Sequence, residues 1–210
     1  MKLLLLGATG LVGDRALKLA LAGDAFSEVI APTRTPLAPR ARLVNPVVSR
    51  LEDLLPHLAA YQPDAVLCAL GTTIAKAGSK EAFRHVDYEL PLAFGKAAQA
   101  AGVGTFAIVT FMGASADSRF FYGRTKGEVE RDIQKIGFRS LTICKPNFIG
   151  GKRHEARPLE GAVIALLRLL APILPRKYRV NPAEAIAAAL LDAVVVARPG
   201  CRWINSEDMN

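Results

Sequence analysis

Short apolar runs alternate along this chain with longer stretches whose leucines and alanines recur at helical spacing. The short runs are apolar at nearly every position, which is typical of strands that are covered on both faces. Strand–helix alternation of this kind predicts a parallel sheet flanked by helices. The predicted strands are the runs LLLL, EVIAPT, RLVNPVV, DAVLCAL, TFAIVTF, RSLTICKP and CRWI.

The predicted helices lie between these runs and cover residues 11–22, 51–61, 80–102, 122–137, 159–170 and 182–197, with a bend near Pro91. The expected fold class is α/β: a single doubly wound Rossmann domain over residues 1–210, with a mostly parallel sheet and helices on both faces. Residues 151–180 depart from the alternation and are rich in Arg, Lys and Pro. We expect them to form a small cap or substrate region over the carboxyl edge of the sheet.

Composition removes several classes of protein. The net charge is +8, but the basic residues are scattered without aromatic interleaving, which argues against a nucleic-acid partner. The apolar run within residues 1–10 is too short for the hydrophobic region of a signal peptide. The apolar stretch over residues 161–175 is too short to span a membrane. Three cysteines without CxxC spacing predict a reduced, cytoplasmic compartment, and the unclustered histidines predict no metal site.

A glycine motif, GATGLVG, follows the first strand and opens the first helix. In a dinucleotide-binding turn, one glycine permits the tight turn, one lets backbone approach a diphosphate, and one lets the helix pack on the strand. The free N–H groups and dipole of the helix N-terminus favour an anion there. A tight turn without a ligand is the alternative. The expected cofactor contacts are Gly7, Thr9, Gly10, Leu11, Val12 and Gly13.

The second strand bears on the choice of cofactor. An acidic residue at its end would bind the ribose 2′-hydroxyl of NAD, but Thr33 and Arg34 stand there instead. Arg34 would pair with a 2′-phosphate and Thr33 could donate to it, so NADP is favoured and NAD is less expected. A solvated surface arginine is the alternative. At the end of the fourth strand, Leu70, Gly71 and Thr72 are further candidate cofactor contacts, or a plain strand-to-loop turn.

Tyr122 and Lys126 form a Y-x-x-x-K pair on one face of a predicted helix. A neighbouring ammonium group would favour the phenolate form of the tyrosine, which would then exchange a proton with a substrate oxygen. The pair is common by chance, and its value comes from its position after the fifth strand of a nucleotide-binding pattern.

The motifs GATGLVG and YGRTK together resemble those of the short-chain dehydrogenase/reductase superfamily. The stretches VTFMGASADSRFFYGRTKGEVE and TICKPNFIGGKRHEARP are similar to its atypical branch of Tat-interacting-protein-like oxidoreductases. This resemblance implies a Rossmann fold, NADP(H) and catalysis by Tyr122 and Lys126. It also implies that Lys126 binds the nicotinamide ribose and that Pro146 lies near the nicotinamide.

One position departs from the family pattern. A serine is usual at the end of the strand before the tyrosine, where it hydrogen-bonds the substrate carbonyl, but Thr110 stands here. Threonine keeps the hydroxyl while adding a methyl group. Ser115 and Ser118 are alternative candidates, and a plain strand-end residue is the alternative interpretation of Thr110. Asp87 is interpreted as a structural residue that caps or orients helices.

The resulting expectation is an NADP-dependent oxidoreductase that transfers a hydride to or from a small carbonyl or alcohol. Tyr122 would be the proton donor or acceptor, Lys126 its activator and Thr110 the residue that binds the carbonyl. A non-catalytic NADP(H)-binding sensor is the alternative, and an epimerase or dehydratase with retained cofactor a weaker one. A homodimer through residues 79–101 and 122–136 is possible in this fold.

Overall fold

The computed structural model describes residues 1–151 and 174–210 and shows a seven-stranded sheet in the order β3–β2–β1–β4–β5–β6–β9. Every neighbouring pair in this sheet is parallel, so the predicted α/β doubly wound fold is confirmed. The order reverses between β1 and β4, and ligands of such sheets bind outside the carboxyl ends of the strands at that point. The strands are β1 Lys2–Leu6, β2 Glu28–Ile30, β3 Leu43–Val44, β4 Ala65–Cys68, β5 Thr105–Val109, β6 Ser140–Lys145, β7 Ile149–Gly150, β8 Asn181–Pro182 and β9 Gly200–Asn205.

Helices cover both faces of this sheet. One face carries α1 and α6, and the other carries α4, α5 and a 3₁₀ helix over Leu51–Tyr61. The described α-helices are α1 Leu11–Ala22, α2 Ile74–Ala77, α3 Lys80–Arg84, α4 Leu90–Ala100, α5 Phe121–Gln134 and α6 Ala183–Val196.

The first strand shows why both faces must be covered. Leu3 and Leu5 belong to the hydrophobic core on one face, while Leu4 and Leu6 belong to the core on the other. Each of the four is at most 1% exposed. Because successive side chains of a strand point to opposite faces, an unbroken leucine run fits only a strand with a core on each side.

Two predicted helices differ in form from the expectation. Residues 51–61 form a 3₁₀ helix, and Pro56 lies inside it, where its missing N–H prevents a regular α-helical ladder. The long helix over residues 80–102 is present but contains a π-helical turn at His85–Glu89, directly before the predicted bend at Pro91. An inserted π-turn changes the helical register of every residue after it.

A small parallel sheet formed by β7 and β8 was not predicted from the sequence. A fully buried Asn181 holds it together: its Oδ1 accepts from the backbone N–H of Asn147 at 2.9 Å and from the Ser206 hydroxyl at 2.8 Å. The predicted helix over residues 159–170 and the loop residues Arg153, Glu155 and Arg157 lie outside the described residues. Most of the predicted cap, residues 151–180, lies outside them too.

The cysteines provide a direct test of this packing. Cys68 and Cys144 are buried, and burial raises the pKa of each thiol to about 12, whereas Cys201 is exposed on β9. Since the thiolate is the reactive form, we expect iodoacetamide to alkylate Cys201 alone in the native protein and all three cysteines in urea. Mass spectrometry of the labelled peptides would measure this. Rapid native labelling of Cys68 would contradict the burial of β4.

Candidate functional site

The glycine turn after β1 is closed by contacts that leave no room for side chains. Gly7 has a φ of +85°, and a Cβ there would lie 2.6 Å from the carbonyl oxygen of Ala69 at the end of β4. A Cβ on Gly13 would lie 2.0 Å from the Gly7 oxygen. These two glycines therefore let the turn, the first helix and β4 approach one another at the point where the strand order reverses.

Gly10 has a different environment. Its backbone N–H donates to the Gly7 oxygen at 2.9 Å, and the nearest atom to a Cβ there would be that same oxygen at 3.2 Å. No side chain caps the helix that starts at Leu11, so its first-turn N–H groups have no acceptor from a cap. Gly10 thus leaves backbone exposed at a helix N-terminus, which suits a bound phosphate group.

A cleft of about 660 Å³ runs from this turn along the carboxyl edge of the sheet. Its volume lies within the range of ligand pockets, roughly 300–1,000 Å³. Most of the sequence-predicted site residues line it together: Thr9, Gly10, Leu11, Val12, Leu70, Gly71, Thr72, Thr110, Tyr122 and Lys126. Three basic residues also border it: Arg15, Lys18 and Lys76.

Other predicted cofactor residues do not belong to the lining of this cleft. Pro146 is buried and its carbonyl oxygen accepts from the Met112 N–H at 2.9 Å. Thr33 is buried at the end of β2, where its hydroxyl donates to the Thr35 carbonyl at 2.7 Å and accepts from Asn45 at 2.8 Å. The single hydroxyl proton of Thr33 is therefore already engaged, whereas Arg34 is exposed.

The candidate catalytic pair lies at the start of α5. The ring of Tyr122 packs between those of Phe83 and Phe111, with centroid separations of 5.2 and 5.4 Å. Lys126 follows one turn later, and its side chain is only 6% exposed. Its Nζ lies 2.7 Å from Oδ1 of Asp87, whose side chain is fully buried.

The contact between Asp87 and Lys126 was not indicated by the sequence. The second oxygen of Asp87, Oδ2, accepts from the backbone N–H of Thr72 at 2.9 Å, so the carboxylate joins the loop after β4 to α5. Asp87 lies in the π-helical turn, and such turns are frequent at functional sites. Since 39 residues separate it from Lys126, no local spacing could have paired them.

The charges of this group reinforce one another. Burial lowers the pKa of Lys126, but the carboxylate of Asp87 and the phenol of Tyr122 outweigh it and hold that pKa above its ordinary value. Lys126 is therefore an ammonium group at neutral pH, and it forms a buried ion pair with the carboxylate of Asp87.

Thr110 has a partner that the family pattern does not anticipate. Its hydroxyl donates to Oε1 of Glu130 at 2.5 Å, and Oε2 of the same carboxylate pairs with the Nζ of Lys145 at 2.9 Å. Thr110 and Glu130 are each only 5% exposed. Burial raises the pKa of Glu130 above its ordinary value, although the bonds from Thr110 and Lys145 act in the opposite direction.

The parallel sheet, the glycine turn at its switch point and the cleft that joins this turn to a tyrosine–lysine pair define a fold class, the doubly wound Rossmann proteins. A solved structure titled as MoeE5 in complex with UDP-glucose and NAD shares this fold, with a TM-score of 0.72 and 18% sequence identity. The superposition covers 98% of this chain and 75% of that one. No protein-family model matches the chain.

Curated relatives give the particular family. The chain is 34% identical over 209 residues to the mitochondrial protein fmp52 of Aspergillus clavatus, covering 93% of this chain and 88% of that protein. It is 36% identical over 168 residues to the mitochondrial protein FMP52 of Candida albicans, covering 78% and 73%. The chain belongs to the FMP52 family.

These relatives also correct the expected location. They are named as mitochondrial proteins, so the prediction of a cytoplasmic protein from cysteine usage was wrong. Cysteine spacing reports only that thiols are reduced, and more than one compartment is reducing. Within residues 1–151 and 174–210, no helix is long and apolar enough to cross a membrane. The same residues contain no cluster of three or more potential metal ligands.

Proposed function

We propose that this protein is an oxidoreductase that transfers a hydride between NADP(H) and a small carbonyl or alcohol. The observation that supports the proposal best is the buried Lys126–Asp87 pair one helical turn from Tyr122, in the same cleft as the glycine turn. When bound, the nicotinamide supplies or takes the hydride. The protein's own residues orient the reactants and exchange the proton.

Each residue of the pair has a distinct role in this proposal. Tyr122 passes a proton to or from the substrate oxygen. Lys126, kept charged by Asp87, stabilises the phenolate form of Tyr122 and binds the nicotinamide ribose. Asp87 touches neither reactant and acts as a positioning residue, because it fixes both Lys126 and the Thr72 backbone.

The nucleotide side of the cleft supports a phosphorylated cofactor. The N-terminus of α1 and the border residues Arg15 and Lys18 favour the diphosphate, although Asp14 holds Lys18 at 2.8 Å. Arg34 is exposed beyond β2 and is the candidate partner of a 2′-phosphate, which NADP has and NAD lacks. Thr33 would contribute less to binding of the 2′-phosphate than the sequence indicates, because its hydroxyl already donates a hydrogen bond to the Thr35 carbonyl.

Calorimetric titration with NADPH and NADH tests the cofactor proposal. We expect NADPH to bind more tightly to the wild type, and Arg34→Ala to weaken NADPH about tenfold without affecting NADH, the loss typical of a charged hydrogen bond. Gly10→Val should abolish binding of both, because the side chain would occupy the diphosphate approach.

A matched control for this titration is Arg198→Ala. Arg198 is also exposed but precedes β9 at the amino edge of the sheet, opposite the cleft. The Arg198→Ala variant should bind both nucleotides as tightly as the wild type does. If neither nucleotide binds the wild type, the glycine turn is structural and the oxidoreductase proposal fails. Equal affinities for NADPH and NADH would reject NADP preference alone.

A second candidate function is a nucleotide sensor without turnover. The contact between Thr110 and Glu130 favours it, because the hydroxyl that would bind a substrate carbonyl is already donating. In that case the cellular activity would survive Tyr122→Phe and be lost in Gly10→Val. An oxidoreductase would lose its activity in both variants.

Three finer assignments remain proposals. The motifs GATGLVG and YGRTK support the atypical, Tat-interacting-protein-like branch of the superfamily. The cap over residues 151–180 is proposed from composition alone. The homodimer through residues 79–101 and 122–136 would use the outer faces of α4 and α5, where a depression of about 410 Å³ lies between Leu92 and Ile136.

A further inference from the structure

The contact between Thr110 and Glu130 has a direction, because a hydroxyl carries one proton and two lone pairs. The ammonium group of Lys145 lies 2.9 Å from Oε2 of Glu130, and this positive charge favours the ionised carboxylate. An ionised carboxylate accepts hydrogen bonds and donates none. The proton of the 2.5 Å contact therefore comes from Thr110 and points at Glu130.

Lys145 is itself firmly held. Its Nζ donates to the carbonyl oxygen of Ala114 at 3.2 Å as well as to Glu130, and it lies 5.1 Å from the centre of the Trp203 ring. Strand β6, helix α5, the loop after β5 and strand β9 are thus joined around one buried ion pair. Among the residues that the structure describes, the next acceptor of the Thr110 hydroxyl is the Cys144 carbonyl oxygen at 3.4 Å, a much longer contact.

We propose that Glu130 is a positioning residue that holds the hydroxyl proton of Thr110, so that Thr110 presents only acceptor lone pairs to a molecule in the cleft. A hydroxyl of this polarity accepts a hydrogen bond from an alcohol, which has a proton to donate, but gives none to a carbonyl oxygen. The predicted effect on ligand binding rests on the proposed function. The arrangement of Glu130, Thr110 and Lys145 can be tested even if that function is wrong.

Glu130→Gln should invert the polarity of Thr110. Lys145 can only donate, so the amide oxygen of the glutamine must face it and the amide NH₂ must face Thr110. Thr110 then accepts from the glutamine, and its own proton becomes available to the cleft. A single isosteric substitution should therefore shift the relative affinity of the cleft from the alcohol towards the carbonyl.

The first experiment measures binding of benzyl alcohol and benzaldehyde, an uncharged aromatic pair suited to a cleft bordered by Phe111 and Phe148. Alcohol with NADPH and aldehyde with NADP⁺ form complexes that cannot react, so affinity is measured at equilibrium. We expect the wild type to favour the alcohol and Glu130→Gln to shift the ratio of the two affinities about fivefold toward the aldehyde, the worth of one neutral hydrogen bond.

Three further variants make this result specific. Thr110→Ser keeps the hydroxyl and should behave as the wild type, while Thr110→Val should weaken the alcohol alone. Glu128→Gln alters a neighbouring glutamate of α5 that pairs with Arg84, and should leave the ratio unchanged. An unchanged ratio in Glu130→Gln would overturn the proposal, and so would loss of aldehyde binding in Thr110→Val.

The second experiment needs no ligand, because Trp203 is the chain's single tryptophan and lies next to Lys145. The charged groups that face Glu130 are Lys145 on β6 and Lys126 on its own helix, with Asp87 behind Lys126. Protonation of Glu130 on acidification should change the Trp203 emission, above the pH at which an ordinary glutamate titrates. This step should disappear in Glu130→Gln and persist in Glu128→Gln.

The two experiments separate the possible failures. If wild-type protein binds no nucleotide, the proposed function fails, and the Trp203 titration still decides whether Glu130 is ionised against Lys145. If nucleotide binds but the emission of Glu130→Gln follows that of the wild type through the acid range, the inference fails alone.

Discussion

Tyr122→Phe is expected to lower the rate of NADPH oxidation with benzaldehyde by about 10²–10⁴-fold, the usual contribution of a general acid. The substitution removes one oxygen and leaves the ring between Phe83 and Phe111, at centroid distances of 5.2 and 5.4 Å. Packing is preserved, so NADPH affinity and the unfolding midpoint should not change. Lost turnover with unchanged binding would identify the phenol as the proton carrier.

The matched control for this prediction is Tyr88→Phe. Tyr88 loses the same oxygen, but its hydroxyl donates to Asp132 at 2.9 Å on the outer side of α4 and α5, away from the cleft. It should retain wild-type turnover. Full activity in Tyr122→Phe would refute the catalytic role of Tyr122 and favour the sensor, whose nucleotide binding does not need the phenol.

Asp87→Ala is expected to destabilise the protein by about 3–5 kcal/mol, since it leaves the Lys126 ammonium buried without its partner. The two side chains are 0% and 6% exposed, so water cannot replace the missing carboxylate. The backbone N–H of Thr72 loses its acceptor as well. Urea unfolding followed by circular dichroism would measure the loss from the midpoint and the slope.

Two companion variants distinguish the cost of leaving a buried charge unpaired from the cost of losing an ion pair as such. Asp87→Ala combined with Lys126→Met removes both charges and should recover at least half of the lost stability, because the cost arises from the unpaired charge. Glu89→Ala breaks a solvent-exposed contact with His85 in the same π-turn and should cost less than about 1 kcal/mol. A loss below about 1 kcal/mol in Asp87→Ala would contradict a buried pair.

Much of the fold could be predicted because its signals are local. The run from Leu3 to Leu6 requires a core on both faces, and the spacing of Gly7, Gly10 and Gly13 follows from a turn that must pass close to β4. Helical spacing alone places Tyr122 and Lys126 on one face of a helix. Each of these inferences needs only neighbours within a few residues.

Several of the predicted site residues follow different strands, and the carboxyl ends of parallel strands meet at one edge of the sheet. Thr9, Thr72 and Thr110 follow three different strands and line the same cleft. What failed was the inference of location from cysteine spacing, since thiol chemistry distinguishes redox conditions rather than organelles. The family relationship, and not composition, corrected it.

What the sequence by itself determined is therefore the strand–helix order, the glycine turn and the tyrosine–lysine pair. Only the tertiary structure decided which polar groups meet: Asp87 with Lys126, and Glu130 with both Thr110 and Lys145. The physical reason is that helical and strand periodicity specify which face a side chain occupies. The residue that contacts this side chain comes from a segment distant in the sequence. Which residue it is depends on tertiary packing, and a local sequence pattern does not specify tertiary packing.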